Sequence, residues 1–210
     1  MAMTSRRAAQ IAKILPQRII GVDPGTRFTG WGVVEARGST LTHLGHGTIA
    51  TEGARGQEQR LSLIYRGLED LIRSYEPNGL SLERVFFARN AQSALKLGQA
   101  RGVALLAAAH GRVVVHEYAA SEIKVAVVGY GHATKDQVQK MVAALLQVSE
   151  KIAADAADAL AAAICHLHRQ SFPAAILEAV PKWNGSMRRR LSWAAARKLL
   201  GRLDPIDRLK

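Results

Sequence analysis

Arg18-Ile-Ile-Gly-Val-Asp-Pro-Gly-Thr-Arg-Phe-Thr-Gly-Trp-Gly-Val-Val-Glu35 decides the fold. Ile19 to Val22 is an apolar run that stops at Asp23-Pro24-Gly25, as a buried strand does when it meets a turn. Gly30 to Glu35 and Leu41 to Ile49 follow as two more strands, separated by a turn at Gly38-Ser39. Three strands in succession predict an antiparallel meander.

Working outward, Leu61, Ile64, Tyr65, Leu68, Leu71, Ile72 and Tyr75 recur at helical spacing, and Glu76-Pro77-Asn78-Gly79 ends that helix. Leu82 to Phe87 reads as a short strand. Asn90 caps an Ala- and Leu-rich helix from about Ala91 to His110, which Gly111 stops. Val113 to Val115 is a fifth strand. Helices follow at about Ser121 to Val128, from a Thr134/Gln137 capping box to about Gln147, and from about Ala153 to Arg169. This order predicts an α/β fold: a mixed five-stranded sheet, its first three strands antiparallel, flanked by helices.

The 210 residues suffice for one packed domain with extensions, read as a basic arm over 1–17, a domain over 18–172 and a basic tail over 173–210. The lone Cys165 excludes an intramolecular disulfide and points to a reducing, cytoplasmic setting. No apolar stretch approaches the roughly 20 residues of a membrane span, so no membrane is expected. With 29 Lys and Arg against 17 Asp and Glu, the net charge is +12, which points to nucleic acid as partner. From Lys182 to Lys210, nine Lys and Arg face only Asp204 and Asp207. Such a tail is expected to add non-specific DNA affinity by counterion release.

Against that basic background, four acids stand among apolar or Gly residues, where an unpaired charge is costly. Asp155 and Asp158 lie three apart on an alanine helix and so share a face. Two carboxylates that close repel unless a cation or a proton sits between them. Asp23 heads Asp-Pro-Gly, which alone is a turn; Gly30 and Gly32 beside it let a ligand or another backbone approach closely. The same segment also fits a phosphate loop of the actin-like kinases, although no second Asp-Gly-rich loop follows. Glu83 interrupts a short strand, where a single acid is usually exposed. Carboxylates without Cys or a His pair suit Mg²⁺ or Mn²⁺ rather than zinc. Two such ions about 4 Å apart activate water and stabilise the leaving oxygen of a phosphodiester. Lys124, His132 and Lys135 are candidate phosphate contacts, His132 reading equally well as ordinary surface.

Several stretches together resemble one family. Gly21-Val-Asp-Pro-Gly-Thr-Arg-Phe-Thr-Gly-Trp-Gly32 is similar to the first strand and hairpin of RuvC, the bacterial crossover (Holliday) junction endodeoxyribonuclease. Glu83-Arg-Val-Phe-Phe-Ala-Arg-Asn-Ala-Gln-Ser-Ala-Leu-Lys-Leu-Gly-Gln-Ala-Arg-Gly102 resembles that family's most specific block. Glu117 to Ala120, Val127 to Gly129, Lys135 to Gln139 and Ala154 to Leu160 continue the match in order, over about Arg18 to Gln170.

The resemblance implies an RNase H-like fold and a homodimer that nicks two like-polarity strands of a four-way DNA junction in recombination and repair. It implies that Asp23, Glu83, Asp155 and Asp158 are the catalytic, metal-binding acids, with two Mg²⁺ ions per subunit, replaceable by Mn²⁺. Asp23 and Asp155 would share one ion, and Glu83 would help hold the second. Phe86 matches an aromatic that stacks on opened bases. Arg89, Lys96, Lys124 and Lys135 are the further DNA contacts, and the RuvA–RuvB branch-migration complex is the implied partner. Arg84 and Trp31 depart from the usual Gln and Tyr. A junction-binding scaffold without catalysis is the competing reading, and the presence of all four acids argues against it.

Overall fold

The computed structural model describes residues 16–84 and 91–171, and these belong to one compact unit ending at Phe172. Phe86, Arg89, the Asn90 cap, the arm before Pro16 and the tail after Phe172 lie outside the described residues.

Three strands come first, β1 (Gln17–Asp23), β2 (Phe28–Arg37) and β3 (Thr40–Ala50). They pair antiparallel as the meander predicts. Helix α1 (Gln57–Tyr75) leads to β4 (Gly79–Glu83), and α2 (Ala91–His110) leads to β5 (Val114–Tyr118). Both new strands add in parallel, giving the order β3-β2-β1-β4-β5. Three further helices follow among the described residues: α3 (Ala120–Val128), α4 (Lys135–Leu146) and α5 (Ala154–Ser171). The expected mixed five-stranded sheet is therefore present, with helices on both faces.

Strand bounds differ in places: the second and fifth strands, read as Gly30 to Glu35 and Val113 to Val115, span Phe28–Arg37 and Val114–Tyr118. The apolar run places the fourth strand at Leu82 to Phe87, whereas the strand described spans Gly79–Glu83. Glu76, at a left-handed φ of 45°, ends α1 with its N–H on Ile72 O. Asn78 then locks onto β1: its N–H donates to Arg18 O at 2.7 Å, and its Oδ1 accepts from Arg18 N at 2.8 Å. Pairing with β1 starts at once, at Gly79 opposite Ile19. The Thr134/Gln137 capping box forms as read from the sequence, with reciprocal bonds of 3.3 and 2.9 Å.

Side chains alternate between two cores. Ile20, Val22, Val33, Leu80 and Leu82 pack against Ile64 and Leu68 of α1 and the buried alanines of α2. Ile19, Val34 and Ala36 pack on the opposite face against α3, α4 and α5, where Leu160 and Ile164 are fully buried. The glycines of the opening stretch set how close α5 comes. A Cβ at Gly21 would lie 1.8 Å from Ala159 O, and one at Gly30 would lie 2.0 Å from Asp155 O. Only glycine lets helix backbone rest directly on β1 and β2 at these points. Among the described residues, no helix is long and apolar enough to cross a membrane.

Candidate active site at the carboxyl ends of β1 and β4

Asp23 is the last residue of β1 and pairs with Gly30. Glu83 is the last residue of β4, one step beyond the pair Val22 and Leu82. Strand alternation puts Asp23 on the face of Gly21, and Glu83 on the face of Ser81. Both belong to the α5 side: Gly21 lies under Ala159, and the buried Ser81 hydroxyl donates to Ala162 O at 2.7 Å. The first turns of α5, carrying Asp155 and Asp158, therefore lie over the strand ends that carry Asp23 and Glu83.

The charges of the neighbouring acids reach both Asp23 and Glu83. Asp23 is pushed up to about 7, first by burial, then by the charges of Asp158, Asp155 and Glu83, while Lys135 pulls it down. Glu83 is also raised, by burial first and then by Asp158, with Lys135 and Lys124 opposing. Lys135, the first residue of α4, donates from Nζ to Asp158 Oδ2 at 3.1 Å, and this bond and charge raise its own pKa. Among the described residues, no three His, Cys, Asp or Glu side chains stand close enough together, as placed, to hold a metal ion.

The alternative for Glu83, an ordinary exposed acid in a short strand, does not fit the topology. β4 lies between β1 and β5 with helices over both faces, so it has no solvent side, and Glu83 is half-buried. Of the proposed DNA contacts, Lys135 bonds to Asp158 and the charge of Lys124 reaches Glu83. Lys96 lies on the exposed face of α2, with no described contact to the acids, and His132 is exposed. Trp31 points away from the site. Its ring packs 5.9 Å from that of Tyr75, in the space left by Gly47. Arg84 donates from Nη2 to Glu117 O at 3.2 Å, so it is held along β5.

Two residues at the site carried no role in the sequence reading. Arg101 donates from Nη1 to Glu83 O at 3.0 Å, and its Nη2 pairs with the Glu117 carboxylate. The available signal was an Arg among the small residues of α2, beside the buried Ala100 and Ala104.

The chain matches the family model for crossover junction endodeoxyribonuclease RuvC over residues 19–166. A relative of that name from Pelobacter propionicus is 51% identical over 164 residues, covering 78% of this chain and 93% of the relative. One from Syntrophotalea carbinolica is 53% identical over 151 residues, covering 72% and 94%. Among solved structures, T. thermophilus RuvC in complex with a Holliday junction substrate is similar at a TM-score of 0.70 and 30% identity, covering 74% of this chain and 95% of that one. The yeast mitochondrial resolvase Ydc2, 12% identical with a TM-score of 0.55, shares the fold. The fold is thus the RNase H-like one that the family resemblance implies, and the chain belongs to the RuvC family of crossover junction endodeoxyribonucleases.

Proposed function

We propose that this protein is a structure-selective endonuclease that resolves four-way DNA junctions in recombination and repair, using Asp23, Glu83, Asp155 and Asp158. The observation that supports the reading is the convergence of four acids: Asp23 and Glu83 end neighbouring parallel strands, beneath the first turns of the helix that carries Asp155 and Asp158. Such a group carries more negative charge than its surroundings neutralise, as sites built for a cation do.

The donor set is all oxygen, which fits Mg²⁺, with Mn²⁺ as substitute. Asp23 and Asp155 are assigned one ion, and Glu83, with Asp158 near it, a second. When bound, the ions supply an activated water and charge stabilisation at the leaving oxygen. The chain's own residues do the rest. Asp23, whose pKa is pushed up to about 7, would release its proton to solvent on holding an ion. Lys135, hydrogen-bonded to Asp158, and Lys124, whose charge acts on Glu83, meet phosphate oxygens beside the scissile bond. They reduce the repulsion between four acids and a polyanion.

Paired nicks require two active sites, and α2 offers a surface for a second copy of this chain. Leu95 and Leu106 are 65% and 48% exposed. They line up on one helical stripe with Gly98 and Gly102, where a Cβ would meet open space. An apolar stripe with small residues at its centre suits a facing helix at close range. The same reading places the protein in the cytoplasm, working with the RuvA–RuvB complex.

The test is cleavage of a synthetic four-way junction in Mg²⁺. Asp23→Asn and Glu83→Gln are expected to abolish cutting while junction binding survives. Cleavage by either variant at the wild-type rate overturns the assignment.

A further inference from the structure

We propose that Arg101, held by Glu117, is a positioning residue that sets the place of Glu83 in the site. The proposal rests on the reading of Glu83 as a reacting-centre carboxylate.

Glu83 is the last residue of β4: it pairs with Tyr118 of β5, but pairing with β1 ends one residue earlier, at Leu82. A terminal strand residue has fewer neighbours to hold its backbone, and backbone displacement there carries the carboxylate with it. Two features counter this. Arg84 N donates to Tyr118 O at 2.7 Å, tying the exit from β4 to β5. From the middle of α2, Arg101 sends its guanidinium back to the strand end. Its Nη1 donates to Glu83 O at 3.0 Å, while Nη2 pairs with Glu117 of β5. One planar group thus joins β4, β5 and α2 at the residue that supplies the carboxylate.

The chemistry favours arginine specifically. A guanidinium presents donors in a rigid fork and satisfies two acceptors on different strands at once; an ammonium has no such fixed geometry. The Arg101 side chain is only 18% exposed, so water competes poorly for it. Its donor goes to the Glu83 backbone, leaving the carboxylate free for the reaction. Catalytic groups must be held to within about 0.5 Å, and a displacement of about 1 Å costs on the order of 100-fold in rate.

The experiment compares Arg101→Ala, Arg101→Lys and Glu117→Gln in the full chain, with Glu83→Gln alongside. Single-turnover cleavage of a four-way junction is measured at saturating enzyme, junction affinity is measured separately in Ca²⁺, and amide hydrogen exchange is followed over residues 80–84. The expected result is a roughly 10- to 100-fold slower cleavage step for Arg101→Ala, with junction affinity unchanged. Exchange at the end of β4 accelerates, the half-saturating Mg²⁺ concentration rises, and Lys does not rescue. Glu117→Gln shows the same pattern more weakly and carries the test should Arg101→Ala fail to fold. Wild-type cleavage in these variants overturns the proposal. So does a loss seen entirely in junction affinity, which would make Arg101 a DNA contact. Robust cleavage by Glu83→Gln, by contrast, removes the reading of Glu83 on which the proposal stands.

Discussion

Lys135 and Asp158, on different helices, are joined by a 3.1 Å hydrogen bond at the mouth of the acidic cluster. The cap formed by Thr134 fixes where α4 starts, and the glycines under α5 fix where Asp158 lies. Lys135 is 82% exposed, so the pair contributes little to stability. Its importance lies in the field it places on Asp23 and Glu83.

Lys135→Gln is therefore expected to leave thermal stability within about 0.5 kcal/mol of wild type. Cleavage should fall roughly tenfold, about 1.4 kcal/mol in the barrier. Lys135 lowers the pKa of Asp23, so removing it raises that pKa further. The acidic limb of the pH–rate profile should move to higher pH; a limb that stays in place argues against the coupling.

Asp23 also links stability to pH in the metal-free protein. Its folded pKa is raised from 3.8 to about 7. Stability from this group is fully present below the unfolded value and is lost as pH rises through about 7, by at most roughly 4 kcal/mol. Asp23→Asn has no such loss. In chelator it should melt above wild type at pH 9, and the gap should close by pH 4. Added Mg²⁺ should stabilise wild type at pH 8 and the variant much less.

Gly30→Ala tests the seating of α5. Its Cβ would lie 2.0 Å from Asp155 O, so the helix must lift where the acidic pair begins. Urea unfolding should show a loss of roughly 1–3 kcal/mol. At a temperature where the variant is folded, cleavage should fall further than junction binding, because Asp155 moves with the backbone.

Trp31→Tyr provides the contrasting case. Trp31 packs on the α1 side of the sheet, away from the acids. The substitution should cost roughly 1 kcal/mol in unfolding measurements, with the cleavage rate within about twofold of wild type. A large catalytic defect would contradict its placement.

Homodimer formation through α2 is checked by Leu106→Asp. Sedimentation is expected to show a dimer for wild type and a monomer for the variant, since a charge on this exposed stripe resists burial against a second apolar face. A variant that remains dimeric places the contact elsewhere.

Much of the architecture is local and so was legible in the chain. Helix periodicity in α1, the capping box at Thr134 and the meander of β1 to β3 each depend on residues a few positions apart. The Asp155/Asp158 pair is of the same kind, since helix geometry alone puts both on one face. Other features depend on contacts far apart in sequence. The start of β4 at Gly79 follows from Asn78 bonding to Arg18, 60 residues away, and alternation within residues 82–87 could not reveal it. Nor could it show that Glu83 is half-buried, because that depends on β1 and β5 flanking its strand.

The amino-acid sequence by itself determined the element types, the basic character and, through its motif blocks, the four acids. Tertiary structure alone decided their electrostatic merger. Parallel pairing sets Asp23 and Glu83 on neighbouring strand ends, and glycine at 21 and 30 lets α5 bring Asp155 and Asp158 over them. The same assembly put Arg101 on the backbone of Glu83. Side-chain chemistry is written locally, but the fields and close contacts that tune it arise only when distant segments pack.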